Sequence, residues 1–193
     1  EVLALVSTPG YDPNEFVLGM SDARWNALNE DASNPLMNRF VNTWVPGSTF
    51  KGITAAVGVD AGIINPDENL GYVGLSWQKD ASWGDYHVTT LTDYGETVNT
   101  GYGQGQVLVN PLHLLSMYSM FVNDGNMIQP VLKYEENAAA KIWKEQAVSA
   151  QTAQTVKQSL LSVIENPSGT GASAKIDGVT MLGKTGTAEI KES

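Results

Sequence analysis

The segment from Asn110 to Gly125 constrains the fold of this chain more than any other stretch. Asn110 can cap a helix, and Pro111 suits a first helical position, where the N–H would lack a partner anyway. Leu112, Leu115, Tyr118, Met120, Phe121 and Val122 then give a wide apolar face, with Met117 and Met120 in the core. Asn123-Asp124-Gly125 supplies a left-handed stop. A second helix is expected from Ser149, carrying Ala153, Val156, Leu160, Val163 and Ile164 at helical spacing and ended by Asn166-Pro167.

The rest of the chain adds strands and turns. Val2 to Val6 reads as a short buried strand, and Ser7 to Asn14 is turn chemistry throughout. A polar helical patch around Arg24 to Leu28 follows, and Asn34-Pro35 breaks the chain. Ser168 to Ala174 reads as a flexible run, and Val179 to Ile190 as a strand holding a glycine pair. Helices and strands without regular βαβ alternation argue an α+β fold.

Length and composition fit one globular domain, or a large part of one: 193 residues, 42% hydrophobic and 17% charged. The net charge of −10 and the absence of a basic stripe argue against a nucleic-acid partner. The absence of cysteine fits an exported bacterial protein and many cytoplasmic ones. No apolar run approaches the roughly 20 residues of a membrane span. The N-terminal apolar run is too short for a signal peptide and lacks a basic flank, so the chain reads as beginning abruptly in structure.

Pro46-Gly47-Ser48-Thr49-Phe50-Lys51 carries the first chemical signal. A serine is a poor nucleophile until a base takes its proton. A lysine one turn away can be that base if burial leaves it neutral. Ser48 opens an expected helix, where free N–H groups and the positive dipole end favour developing negative charge. The bland reading is a plain helix start with a solvated lysine. Ser76-Trp77-Gln78-Lys79 has the same spacing, but its polar surroundings read as an exposed strand end or loop.

Gly183-Lys184-Thr185-Gly186-Thr187-Ala188-Glu189 is the second signal. In a strand Thr185 and Thr187 share a face, and Gly186 lets another backbone approach. An extended peptide could pair there, its carboxylate held by Lys184 and the hydroxyls. Strict alternation puts Lys184 on the other face, so its arm must curl round an edge. A strand end entering a turn is the alternative. His87 and His113 have no partner pattern, and no metal-ligand spacing occurs, so neither metal nor cofactor is expected. Gly101-Tyr102-Gly103-Gln104-Gly105 lacks the Gly-Lys-Ser/Thr ending of a phosphate loop.

Together, S-x-x-K at a helix start and K-T-G on a later strand resemble the motif set of penicillin-binding proteins and serine β-lactamases. Val2 to Asn14 resembles the opening of the class B transpeptidase domain. Asn38-Arg39 before the serine box, Gly101 to Gly105, and Val109-Asn110-Pro111 follow in that family's order. Trp77-Gln78-Lys79-Asp80 and Ser82-Trp83-Gly84-Asp85-Tyr86 look like the low-affinity Gram-positive branch linked to β-lactam resistance.

The resemblance implies a fold with an antiparallel sheet flanked by helices and a helical subdomain. It implies Ser48 as nucleophile, Lys51 as its base, and Lys184 as a carboxylate-placing cation that also keeps Lys51 neutral. Thr185, Gly186 and Thr187 would bind substrate, Tyr86 would lie near the groove, and the Ser48 and Thr187 amides would form the oxyanion hole. The implied activity is D-Ala-D-Ala transpeptidation in peptidoglycan synthesis. The implied partners are stem peptides, β-lactam antibiotics, and cell-wall synthesis or division proteins. The implied place is the extracytoplasmic face of the cell membrane, with an anchoring N-terminal helix outside this chain.

The pattern also breaks. The family's third motif, S-x-N, is missing; the nearest spelling is Thr97-Val98-Asn99. The single expected domain, 1–193, therefore lacks part of the helical subdomain near 99–101, and the strands expected after K-T-G. Either a stretch of the natural chain is skipped near Asn99, or the chain is a shortened variant. Without S-x-N a β-lactam-binding sensor or inactive remnant is a second expectation, and a β-lactamase a third.

Overall fold

The computed structural model describes residues 1–67 and 100–188. Ser76, Lys79, Tyr86, His87 and the Thr97-Val98-Asn99 run lie outside the described residues. The described elements are α1 (Asn14–Leu18), α2 (Asp22–Glu30), α3 (Lys51–Asp60), α4 (Pro111–Ser119), β1 (Met127–Ile128), β2 (Ile142–Lys144) and α5 (Ala150–Glu165). Short 3-10 turns cover Gly47–Phe50, Met120–Val122 and Ala172–Ala174. The fold is α+β. No described helix is long and apolar enough to cross a membrane.

Local chemistry explains the helices. Asn110 accepts from the Leu112 amide at 2.9 Å, with Pro111 at the first position of α4. Asp124 and Gly125 take positive φ values of 49° and 87°, the expected left-handed stop. Ser149 accepts from the Thr152 amide at 3.2 Å and starts α5. Ala153, Val156, Leu160 and Ile164 all fall on the buried stripe of α5. Of these, Ala153, Val156 and Leu160 pack with Ile53 and Ala56 of α3 and with Met120, Phe121 and Val148 to form the core. Each large side chain buried there contributes roughly 1.5–3 kcal/mol. His113 is exposed and lies against the Trp143 ring, 5.2 Å between centroids.

Three expectations from the sequence change. Val2 to Val6 forms no strand; Val2 makes one backbone bond, to the Val131 carbonyl at 2.9 Å. Residues 179–188 form no strand either. Their amides are taken elsewhere: Met181 N–H donates to the Glu165 carboxylate at 3.0 Å, and Gly183 N–H to the Leu160 carbonyl at 3.2 Å. An extended run becomes a strand only by pairing, and this one is tied to the C-terminal end of α5 instead. The 168–174 run is fastened rather than loose, with Gly171 N–H on the Val163 carbonyl at 3.0 Å and Gly169 N–H on Asn166 at 2.8 Å. The described sheet is the antiparallel β1–β2 pair, Met127 opposite Lys144 and Ile128 opposite Ile142, with an irregularity between.

Candidate active site

Two backbone connections fix the segment leading to Ser48. Trp44 pairs with Val109 as an isolated antiparallel bridge, at 3.0 and 2.8 Å. The Asn110 side-chain amide donates to the Phe40 and Asn42 carbonyls. One residue thus caps α4 and holds the chain that runs into the serine box. Arg39 reaches back to the Ser33 carbonyl at 2.7 Å, and Trp44 donates to the Arg39 carbonyl at 2.8 Å.

Ser48 lies in the 3-10 turn Gly47–Phe50 that leads into α3. The Lys51 amide donates to the Ser48 carbonyl, an i to i+3 bond. In such a turn residues i and i+3 eclipse, so Ser48 and Lys51 emerge on the same side. Thr49 Oγ1 donates to the Pro46 carbonyl at 2.6 Å and stiffens the turn. Behind it the Tyr118 phenol donates to the Thr49 carbonyl. Burial raises the Tyr118 pKa, which keeps the phenol a donor. Ser48 is half-buried and Lys51 is exposed. No hydrogen bond joins their side chains among the described residues.

Gly186 and Thr187 lie directly against this turn. Gly47 has φ of 56°, a left-handed conformation that glycine adopts without strain. A methyl group on Gly47 would run into the Thr187 carbonyl. A methyl on Gly186 would come within 2.7 Å of the Thr49 methyl and 3.1 Å of the Thr49 nitrogen. The backbone that approaches Gly186 is therefore the chain's own, on the flank of Ser48. Thr185 pairs its hydroxyl with Thr170 at 3.2 Å, and Lys184 Nζ donates to the Thr185 carbonyl at 2.8 Å.

The 101–105 loop closes the third side, a role the sequence did not reveal. Gly47 N–H donates to the Gly103 carbonyl at 2.8 Å, and the Gln104 amide reaches the Thr187 carbonyl at 3.4 Å. Thr54 on α3 donates to the Gly101 carbonyl. Lys51 Nζ lies 5.8 Å from the Tyr102 ring centroid. The five-residue run was visible, but nothing in it says which segments it will bridge. The structure thus gathers Ser48, Lys51, Gly186 and Thr187, and adds Tyr102, Gln104 and Tyr118. A half-buried serine on the same side of a turn as a lysine offers the nucleophile and the base that acyl transfer needs. Among the described residues no cluster could hold a metal ion.

The family description "Penicillin binding protein transpeptidase domain" matches residues 1–100 and 94–193, two stretches that meet just before the 101–105 loop. Penicillin-binding protein 3 of Bacillus subtilis is 33% identical over 255 aligned residues, covering all of this chain and 38% of that protein. The aligned stretch is longer than this 193-residue chain, so the relative carries residues this chain does not. Peptidoglycan D,D-transpeptidase MrdA of Escherichia coli K12 is 36% identical over 113 residues, 53% of this chain and 18% of that one. The crystal structure of PBPA from Mycobacterium tuberculosis superposes with a TM-score of 0.70 at 25% identity, covering 98% of this chain and 59% of that one. An imipenem acyl-enzyme of penicillin-binding protein A from the same organism gives 0.69 at 22%. The chain thus spans about two fifths or less of the two sequence relatives it is compared with.

Proposed function

The chain belongs to the penicillin-binding protein transpeptidase domain family, and on that premise we propose that it is the D,D-transpeptidase domain of a cell-wall enzyme working through Ser48. The observation that carries this reading is the placement of Gly186-Thr187 against the Gly47–Thr49 turn. Ser48 Oγ attacks the carbonyl carbon of a D-Ala–D-Ala peptide bond and its proton passes to Lys51. The C–N bond breaks, and terminal D-Ala leaves with a proton. The amine of a second stem peptide then attacks the ester, forming the cross-link and restoring the Ser48 hydroxyl. The amides of Ser48 and Thr187 hold the developing oxyanion; losing one such donor typically costs on the order of 10²–10³ in rate. Lys184, Thr185 and Thr187 bind the substrate carboxylate and amide. A β-lactam acylates the same serine.

The finer assignments rest on sequence. The low-affinity, resistance-linked branch is carried by Trp77 to Asp80 and Ser82 to Tyr86, and Tyr86 as a groove residue goes with it. The parent protein is anchored by an N-terminal helix on the extracytoplasmic face and works beside cell-wall synthesis or division proteins. Part of the helical subdomain near 99–101 is absent from the chain; two family matches meeting at 94–100 support this.

Incubation with a fluorescent penicillin followed by peptide mapping tests the main reading. An adduct on Ser48 is expected; no adduct, or one elsewhere, refutes it. Lys51→Ala should slow acylation by orders of magnitude with an unchanged unfolding transition, and an unchanged rate removes Lys51 from the mechanism. A second reading has its own observation, the absent S-x-N: a domain that is acylated but does not turn over. Stoichiometric labelling without cross-linked product from stem peptides would favour it. Rapid loss of the label would instead indicate a β-lactamase.

A further inference from the structure

We propose that Tyr102 is a positioning residue for Lys51, holding the amine over its ring and off Ser48 while the site is empty. The proposal rests on the acyl-transfer reading of Ser48 and Lys51. Lys51 is exposed, and a lysine side chain in that setting samples many rotamers. Here its Nζ lies 5.8 Å from the Tyr102 centroid, inside the range where an aromatic face attracts a cation. Among the described residues it makes no hydrogen bond to Ser48.

The loop that carries the ring is tied down beside the lysine. It is held on both sides of Lys51 along the chain. Gly103 accepts from Gly47 at 2.8 Å before Lys51, and Gly101 accepts from the Thr54 hydroxyl one turn after it. A methyl on Gly103 would also strike the Gly47 carbonyl and Phe50, so the loop is packed down on the serine turn. Ring contact and a hydrogen bond to Ser48 Oγ are competing positions for one amine. The ammonium must leave the ring and release a proton to solvent before the neutral amine can take the serine proton, so the ring slows acylation.

A cation–π contact of this kind is equivalent to about a two- to five-fold change in a rate or population. Tyr102→Leu should therefore speed acylation by a fluorescent penicillin about two- to five-fold, with no change in the affinity of the initial non-covalent complex. Tyr102→Phe keeps the ring and should restore the parent rate. Nuclear magnetic resonance of lysine-labelled protein gives the direct signature. The Lys51 ε-methylene resonance, assigned with Lys51→Arg, should be shifted upfield by the ring in the parent and in Tyr102→Phe, and not in Tyr102→Leu.

An unchanged or slower rate in Tyr102→Leu overturns the proposal. So does a Tyr102→Phe variant as fast as Tyr102→Leu, which would place the function in the hydroxyl. If the parent takes up no penicillin at Ser48, the acyl-transfer reading fails on its own. The ring-current shift then decides the contact, and its absence overturns the proposal as well.

Discussion

Gly186→Ala is the sharpest perturbation of the site. The added methyl would lie 2.7 Å from the Thr49 Cγ2 and 3.1 Å from the Thr49 nitrogen. Carbon atoms pack at about 3.5–4.0 Å, so the two segments must part by about 1 Å. Thr49 cannot relieve the clash by turning its side chain. Its hydroxyl is held on the Pro46 carbonyl at 2.6 Å, which fixes where the methyl points. The nitrogen belongs to the turn itself and cannot yield without moving Ser48. The residues around Gly186 are exposed, so the segment shifts outward at small cost to the core. An overpacking penalty of about 1 kcal/mol lowers Tm by roughly 2–4 °C in a domain of this size. A misplacement of about 1 Å in an acyl-transfer site costs on the order of 10²-fold in rate. Stopped-flow acylation with a fluorescent penicillin should therefore show a fall near a hundred-fold while thermal unfolding barely moves. Adding Thr49→Ser removes the nearer clash and keeps the hydroxyl bond, and should recover about ten-fold. A single variant that acylates within about three-fold of the parent would falsify the close-approach argument, as would a double variant with no recovery.

Further outcomes follow from the caps and the lysine. Asn110→Ala removes the α4 cap and two donors to the Phe40 and Asn42 carbonyls, and should cost about 1–3 kcal/mol in urea unfolding; a loss under about 0.5 kcal/mol contradicts the shared role. Asp60 accepts from the Ser149 amide at 2.8 Å and the Thr152 hydroxyl at 2.9 Å, and these bonds, the amide first, hold its carboxyl below the usual carboxylate range. A depressed folded-state value means stability that is full above the ordinary carboxylate range and lost as pH falls through the lower folded value. Asp60→Asn should thus be less stable than the parent near neutral pH, with the gap closing in acid; a gap independent of pH contradicts the linkage. The Lys51→Ala acylation assay stands beside these as the test of the base.

The helices were legible because their signals are local. The capping bonds of Asn110, Ser149, Gly125 and Asn166 reach amides and carbonyls within five residues, and the structure keeps each at its expected place. The apolar spacing of Ala153, Val156, Leu160 and Ile164 likewise named the buried face of α5. The strands were not legible in the same way. Val2 to Val6 and 179–188 have strand composition, yet pairing depends on a partner elsewhere in the chain. The amides at 181 and 183 found the Glu165 carboxylate and the Leu160 carbonyl instead.

By itself the sequence determined the spacing of Ser48 and Lys51, the glycine at 186, and the turn chemistry around both. These need no partner, because backbone preference and a three-residue separation are properties of a short peptide. Only the tertiary structure decided that Gly186 lies against Thr49, that Gly103 receives the Gly47 amide, and that Tyr102 faces Lys51. Those contacts join residues far apart in the chain, such as Gln104 and Thr187, which are 83 positions apart. Such distances close only once the core between α3, α5 and the Met120–Val122 turn has formed. The physical reason is that loop closure has an entropy cost that burial of the core must offset before any site contact can form.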